Sequence, residues 1–350
     1  MGSEEKITFD GRLDEEAWEA VPWSGLFVDI QGDKKPKPYL ETRMKMRWDE
    51  EYLYIAGWLE EPQAWANLTY NNSVIFYDND FEVFIDVDGS NHYYKELELN
   101  ARNLNWNLLL VRPYLNGGPP VCNYTQPGQC QESAPGVPYW DISPDLPSGV
   151  HLEGTLNDPT QGSKLWTIEI GIPISQYLRY CPTSPAPPAH GSYWRIDFSR
   201  VEWHVMVGGA PPAYWKKPGV PEENWVWQPT YVDPPNMHLP ETWGYIQFST
   251  DPALSTPLVR DPEWVARDAL MKVYYAETEY YAANKRYTDS LALLVGAGLP
   301  RYVAEGKCAG VPAISFDDTS FLATVSGVPG KIGHVRNDRL LWFQPTDVVQ

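Results

Sequence analysis

The stretch Ile75 to Arg102, IFYDNDFEVFIDVDGSNHYYKELELNAR, constrains this chain more than any other. Phe81, Val83, Ile85 and Val87 alternate with Glu82, Phe84 and Asp86, the two-residue period of a strand with one buried face. The turn formers of Asp86 to Ser90 then reverse the chain. A second alternating run follows, with Leu97, Leu99 and Ala101 on one face and Glu96, Glu98, Asn100 and Arg102 on the other. Paired antiparallel, the two runs predict a ribbon with its apolar face on a core. Its polar face, Glu82 with Glu98, Asn100 and Arg102, is expected to look into solvent.

The rest of the chain repeats the pattern. Ala17 and Trp18 face inward from a helical turn begun at Asp14. Thr42 to Trp48 and Tyr52 to Leu59 read as a hairpin turning at Asp49-Glu50-Glu51, and strand patterns return at 106–111, 150–156, 165–170, 193–203 and 238–249. Long loops rich in proline and glycine separate them at 113–147 and 181–191. Almost no helical period occurs before residue 255. The expectation is an all-β protein, an immunoglobulin- or jelly-roll-like antiparallel β-sandwich over residues 5–250. At Asp251 the composition changes. Asp261 and Pro262 open a helix in which Trp264, Met271, Tyr274 and Tyr281 recur at helical spacing. A short helix follows Thr288-Asp289, then strand-like pieces at 313–316, 321–325 and 340–343. Residues 251–350 thus read as a small α+β extension packed on or beside the sandwich, docking a protein partner or covering a sheet edge.

A formal charge of -19 argues against nucleic-acid or anionic-membrane partners, which require cationic density. No run of about 18 apolar residues is present to span a membrane. The 16 Trp, 22 Tyr and 10 Phe suit a surface that stacks on flat apolar faces such as sugar rings. Asn67, Asn71 and Asn123 each head a glycosylation sequon. The four cysteines have no metal-ligand spacing. Cys122–Cys130 reads as a loop disulfide and Cys181–Cys308 as a staple from sandwich to extension, one of three possible connectivities. A secreted, extracellular glycoprotein is the expectation, and Met1-Gly2-Ser3 reads as a mature start without a signal peptide.

The polar ladder has a chemistry of its own. Carboxylates accept hydroxyl hydrogens and a guanidinium donates a planar fork, so together they can read a vicinal diol. Tyr77 beside them can cover the C–H face of a ring. Asp78, Asp80, Asp86 and Asp88 are candidate calcium ligands, although their spacing is not that of an EF-hand. No organic cofactor is expected. Other readings stay open. Glu82 and Glu98 can be drawn as the carboxyl pair of a glycoside-active enzyme, which needs them about 5 Å or about 6.5–9.5 Å apart. Against that, an adjacent Arg102 would lower a carboxyl pKa that an acid catalyst needs raised. His204, Met206, Met237 and His238 offer the side chains of a haem or redox module. A structural role in extracellular assembly is the last.

The segments FDGRLDEEAW, DNDFEVFIDVDG with YKELELNARN, WRIDFSRVEW, and NWVWQPTYVDPPNMHLPETWGYIQF resemble, in order and spacing over roughly residues 5 to 250, family 9-like carbohydrate-binding modules. The segment VYYAETEYYAANKRYTDSLALL resembles the C-terminal extension of longer members. The resemblance implies a lectin-like sandwich that binds the end of a glycan without catalysis, often with structural calcium. It also implies that two aromatic rings clamp the terminal sugar while charged side chains hold its hydroxyls. By position, Phe76 or Tyr77 stands where a Trp is usual. Glu82, Asn100 and Arg102 would contact hydroxyls, Trp227 would be the second ring, and Arg200 with Glu202 would lie nearby.

Overall fold

A computed structural model describes residues 6–346 apart from 119, 124–129, 132 and 138. Strands β1 (Val28–Asp29), β2 (Thr42–Trp48), β3 (Tyr52–Glu60), β4 (Asp80–Asp86), β5 (Tyr94–Asn100) and β6 (Asn105–Leu110) come first. They are followed by β7 (Ser148–Gly154), β8 (Ser163–Pro173), β9 (Tyr193–Glu202), β10 (Val205–Gly208), β11 (Ala213–Lys216), β12 (Glu223–Val226) and β13 (Gly244–Gln247). One sheet runs β1-β12-β9-β4-β5-β6, with β13 sharing the β12 edge of β9, and the other runs β2-β3-β8-β7. Every pairing is antiparallel. The all-β sandwich is therefore as expected.

Local chemistry sets the hairpins. Asp49 Oδ1 accepts the N–H groups of Glu51 and Tyr52, and its Oδ2 accepts the Tyr54 hydroxyl, which closes the β2–β3 turn. Between the sheets Phe81, Val83, Ile85, Leu97, Leu99, Ile196 and Phe198 meet Leu53, Ile55, Ile168, Ile170 and Ile172. Each such burial is worth about 1.5–3 kcal/mol, and a one-residue slip would turn a whole strand's set outward, so the register is fixed.

The outer face of the first sheet departs from expectation. It is roofed rather than solvated: Phe84, Tyr94, Trp106, Leu108 and Leu110 pack with Val74, Ile75 and Trp243 in a second cluster. Alternation gave the two faces correctly but could not show that distant loops cover the second one.

The extension has its own core. Helix α1 (Glu16–Glu19) and α2 (Ile174–Tyr177) belong to the sandwich; α3 (Trp264–Asn284), α4 (Leu291–Gly296) and α5 (Arg301–Ala304) precede a four-stranded sheet. Its strands β14 (Ala313–Phe316), β15 (Phe321–Val328), β16 (Lys331–Arg336) and β17 (Leu341–Pro345) follow in order. Leu270, Val273 and Tyr274 of α3 pack on Phe321, Ala323 and Val335. The unit grips the β4–β5 turn. Arg267 donates to the Gly89 and Asp88 carbonyls, Leu341 N–H to Ser90 O, and Asn91 Nδ2 to Arg339 O. Gly89, at φ +64°, leaves the space for Arg267: a Cβ there would stand 2.7 Å from Nη1. No helix among the described residues is long and apolar enough to cross a membrane.

Cys122 and Cys130 form the expected loop disulfide. Cys181 and Cys308 are both free, which corrects the expected staple. Cys181 lies against Lys95, Nζ to Sγ 3.3 Å, on the sandwich. Cys308 is exposed beyond α5. Asn67 and Asn71 are exposed, whereas Asn123 Nδ2 donates to Asp141. Tyr124 and Thr125 of that third sequon lie outside the described residues.

Candidate functional site

Glu82 and Glu98 are direct cross-strand partners on the outer face, as their alternation predicts. They do not face solvent: Glu82 is 6% exposed and Glu98 2%. The single turn Ile75–Tyr77 lies over them, with Phe76 N–H donating to Glu98 Oε2 at 2.9 Å. Asp80, Glu82 and Glu98 each bring a carboxylate oxygen within 4.8 Å of the other two. Burial pushes Glu82 up to about 7, with Glu222 adding to it. Burial and then neighbouring carboxylates raise Asp80, Glu96 and Glu98 as well. Arg102 therefore does not lower the carboxyl pKa values, contrary to expectation. Arg102 is exposed past the end of β5 and donates its Nε to Ala66 O.

Asn100 is fully buried and spent on structure. Its Nδ2 donates to Asp78, and its Oδ1 accepts the N–H groups of Arg102 and Leu104, closing the β5–β6 turn. Arg200 projects into the opposite face of β9, between the sheets. It donates to Glu61 at 3.0 Å, Glu202 at 2.8 Å and Thr42 at 3.0 Å. Its parity with Trp194, Ile196 and Phe198 explains this; it is an interior ion triad, and neither it nor Glu202 lies beside the ladder. Trp227 is half-buried against Phe198 and Gly244 and does not face Tyr77.

The aromatic wall is built from other residues. Trp203 follows β9 on the outward parity of Ser199 and Val201, a signal present in the sequence. Its indole N–H donates to Phe76 O and its backbone N–H to Asn79 Oδ1. Trp203, Tyr77 and Trp65 surround one cation: Lys216 Nζ stands 3.3, 5.5 and 5.6 Å from their ring centroids. Tyr77 is 39% exposed, so this slot opens to solvent at the edge of the carboxylate floor. Burial lowers the Lys216 pKa. Nothing in the sequence marked Lys216, because the β10–β11 hairpin that delivers it is a tertiary neighbour.

The calcium ligands expected from sequence do not gather. Asp78 accepts the Asn67 and Leu68 N–H groups and Asn100 Nδ2, while Asp88 accepts Thr183 and the Ser90 N–H. Asp80 and Asp86 end opposite ends of β4, about 20 Å apart at the strand rise. The trio Asp80, Glu82 and Glu98 fits a hard divalent ion better. Asp80 Oδ2 and the nearby Glu96 Oε2 are buried without a partner. The trio's oxygens, all within 4.8 Å of one another, are close enough to reach one ion at Ca–O distances of about 2.3–2.6 Å. Nor do the haem candidates assemble as pairs. His204 bonds Glu223 and His238 bonds the Tyr94 hydroxyl, while Met206 is exposed.

A buried carboxylate floor is thus bounded on one side by an aromatic wall. Residues 9–108 match the family described as carbohydrate family 9 binding domain-like. A Bacteroides uniformis ATCC 8492 structure solved as that of a candidate carbohydrate-binding protein is similar at 12% identity. The likeness covers 66% of this chain and 87% of that one, with a TM-score of 0.47. A family 9 carbohydrate-binding module from Caldicellulosiruptor kristjanssonii is similar at 13% identity, over 73% of this chain and 96% of that one. Its TM-scores are 0.39 for the cellotriose complex and 0.40 for the glucose complex. No curated protein is significantly similar to this chain.

Proposed function

We propose that this protein is a non-catalytic, extracellular carbohydrate-binding protein whose sugar slot lies between Tyr77 and Trp203. The observation that carries the reading is the solvent-open aromatic slot around Lys216, set at the rim of the buried Asp80–Glu82–Glu98 floor. Aromatic faces cover the C–H face of a sugar ring once Lys216 moves off them, and Glu222, close enough to act on Lys216, supplies a carboxylate for hydroxyls. The match of residues 9–108 to a carbohydrate-binding family supports the same reading. In it, residues 5–250 form the binding unit and 251–350 an extension available to a protein partner. Asp80, Glu82 and Glu98 would hold a structural calcium ion, which would neutralise the floor and fix the turn above it.

A glycosidase reading is disfavoured by burial. Under the Ile75–Tyr77 turn, Glu82 and Glu98 leave no room for a glycosidic bond between them. The test is a glycan array on the wild type and Trp203→Ala, with reducing-sugar release measured on the ligands found. Binding lost in Trp203→Ala at an unchanged melting temperature is expected, without sugar release. Unchanged binding in the variant, or no glycan bound by the wild type, refutes the slot.

A further inference from the structure

The outer face of the second sheet carries a rung of side chains that the sugar slot does not use. Arg43 on β2 is the cross-strand partner of Trp58 on β3, Trp58 of Thr167 on β8, and Thr167 of His151 on β7. The rung lines a cavity of about 360 Å³ closed on one side by Trp23 and by the N-terminal segment around Asp14. That volume lies in the range of about 300–1,000 Å³ usual for small-ligand clefts.

Arg43 is the unexplained group in it. Its guanidinium carbon lies 4.8 Å from the Trp23 ring centroid and 4.6 Å from that of Trp58. Rings can stabilise the face of a guanidinium, but its five N–H donors point from its edge. Among the described residues Arg43 makes no hydrogen bond or ion pair, and its Nε is buried without a partner. Leaving such donors unmet is costly, and a stacked planar fork is already shaped for two oxygens of one carboxylate. Glu61 and Glu202 satisfy the guanidinium of fully buried Arg200; Arg43 is half-buried. Here no such partner is supplied.

We propose that this cavity binds the carboxylate of an acidic saccharide, with the Arg43 fork on the carboxylate and Asp14 and Glu153 accepting ring hydroxyls. The saccharide half of the assignment rests on the carbohydrate reading above; the carboxylate half rests on Arg43 alone.

The experiment is calorimetric titration of the full chain with a uronic-acid trisaccharide and with its methyl ester, in which the same rings carry no charge. Each is repeated on Arg43→Lys, which keeps the charge over the rings and loses the fork. The free acid should bind at least roughly tenfold tighter than the ester, and Arg43→Lys should reduce that difference severalfold at an unchanged melting temperature. Equal binding of acid and ester overturns the proposal, as does a difference that survives undiminished in Arg43→Lys. Sulfate or acetate competing as strongly as the trisaccharide would overturn the saccharide half. A preference for acid that persists in Arg43→Lys and disappears in Trp203→Ala would belong to the Tyr77–Trp203 slot, so the two readings fail separately.

Discussion

The ammonium of Lys216 stands 3.3 Å from the centre of the Trp203 ring, at the mouth of a slot walled by Tyr77 and Trp65. A sugar that stacks on Trp203 must first displace this cation. Such contacts are worth about 0.5–2 kcal/mol. Lys216→Ala should therefore tighten binding of an array-identified glycan by roughly two- to tenfold in calorimetry. A weaker complex would show instead that the ammonium holds the ligand.

Arg200, Glu61, Glu202 and Thr42 form a buried polar knot in an otherwise apolar interface. Removing one partner from such a knot leaves an uncompensated charge, so Arg200→Met should cost about 3–5 kcal/mol in urea unfolding. Replacing Arg200, Glu61 and Glu202 together with apolar residues should cost much less. Equal losses in the single and triple variants would contradict the assignment.

The carboxylate floor predicts a calcium response. After exhaustive chelation, added Ca²⁺ should raise the melting temperature by roughly 5 °C at saturation. The joint variant Glu82→Gln, Glu98→Gln should lose that response while melting, in chelator, no lower than the wild type, because two buried carboxylates have been neutralised. A calcium response that survives the double substitution would place the ion elsewhere.

Glu277 on α3 is fully buried, with Oε1 unpartnered and Oε2 accepting only the Thr288 N–H at 3.3 Å. Burial raises its pKa from 4.5 to about 7, with Asp289 adding to it. A carboxyl whose folded pKa lies above its unfolded one contributes stability below pH 4.5, and that contribution disappears as pH rises through 7. Glu277→Gln should therefore match the wild type near pH 4 and exceed it at pH 8 by up to roughly 3 kcal/mol. A constant difference between the two across that range would contradict the shift.

The sequence made the ribbon readable because alternation is local: Phe81, Val83 and Ile85 face the core, and Glu82 pairs with Glu98. Counting by twos from Trp194 puts Arg200 inside, whereas the family resemblance implies a place for it beside the ladder. The same count puts Trp203 outside, next to the site. The roof over Glu98 was not readable, since it depends on a turn from residues 75–77 and a hairpin from residues 205–216. Lys216 and the unpaired state of Arg43 are likewise products of tertiary approach. Cysteine number alone could not show that Cys181 would meet Lys95 rather than Cys308.

The grip of Arg267 on the Gly89 carbonyl has one more consequence. It anchors the extension at one pole of β4, while Asp80 and the Tyr77–Trp203 slot occupy the other, about 20 Å away along the strand. A partner embracing the helical unit would thus leave the slot's mouth clear, and the two could be engaged at once without either crowding the other.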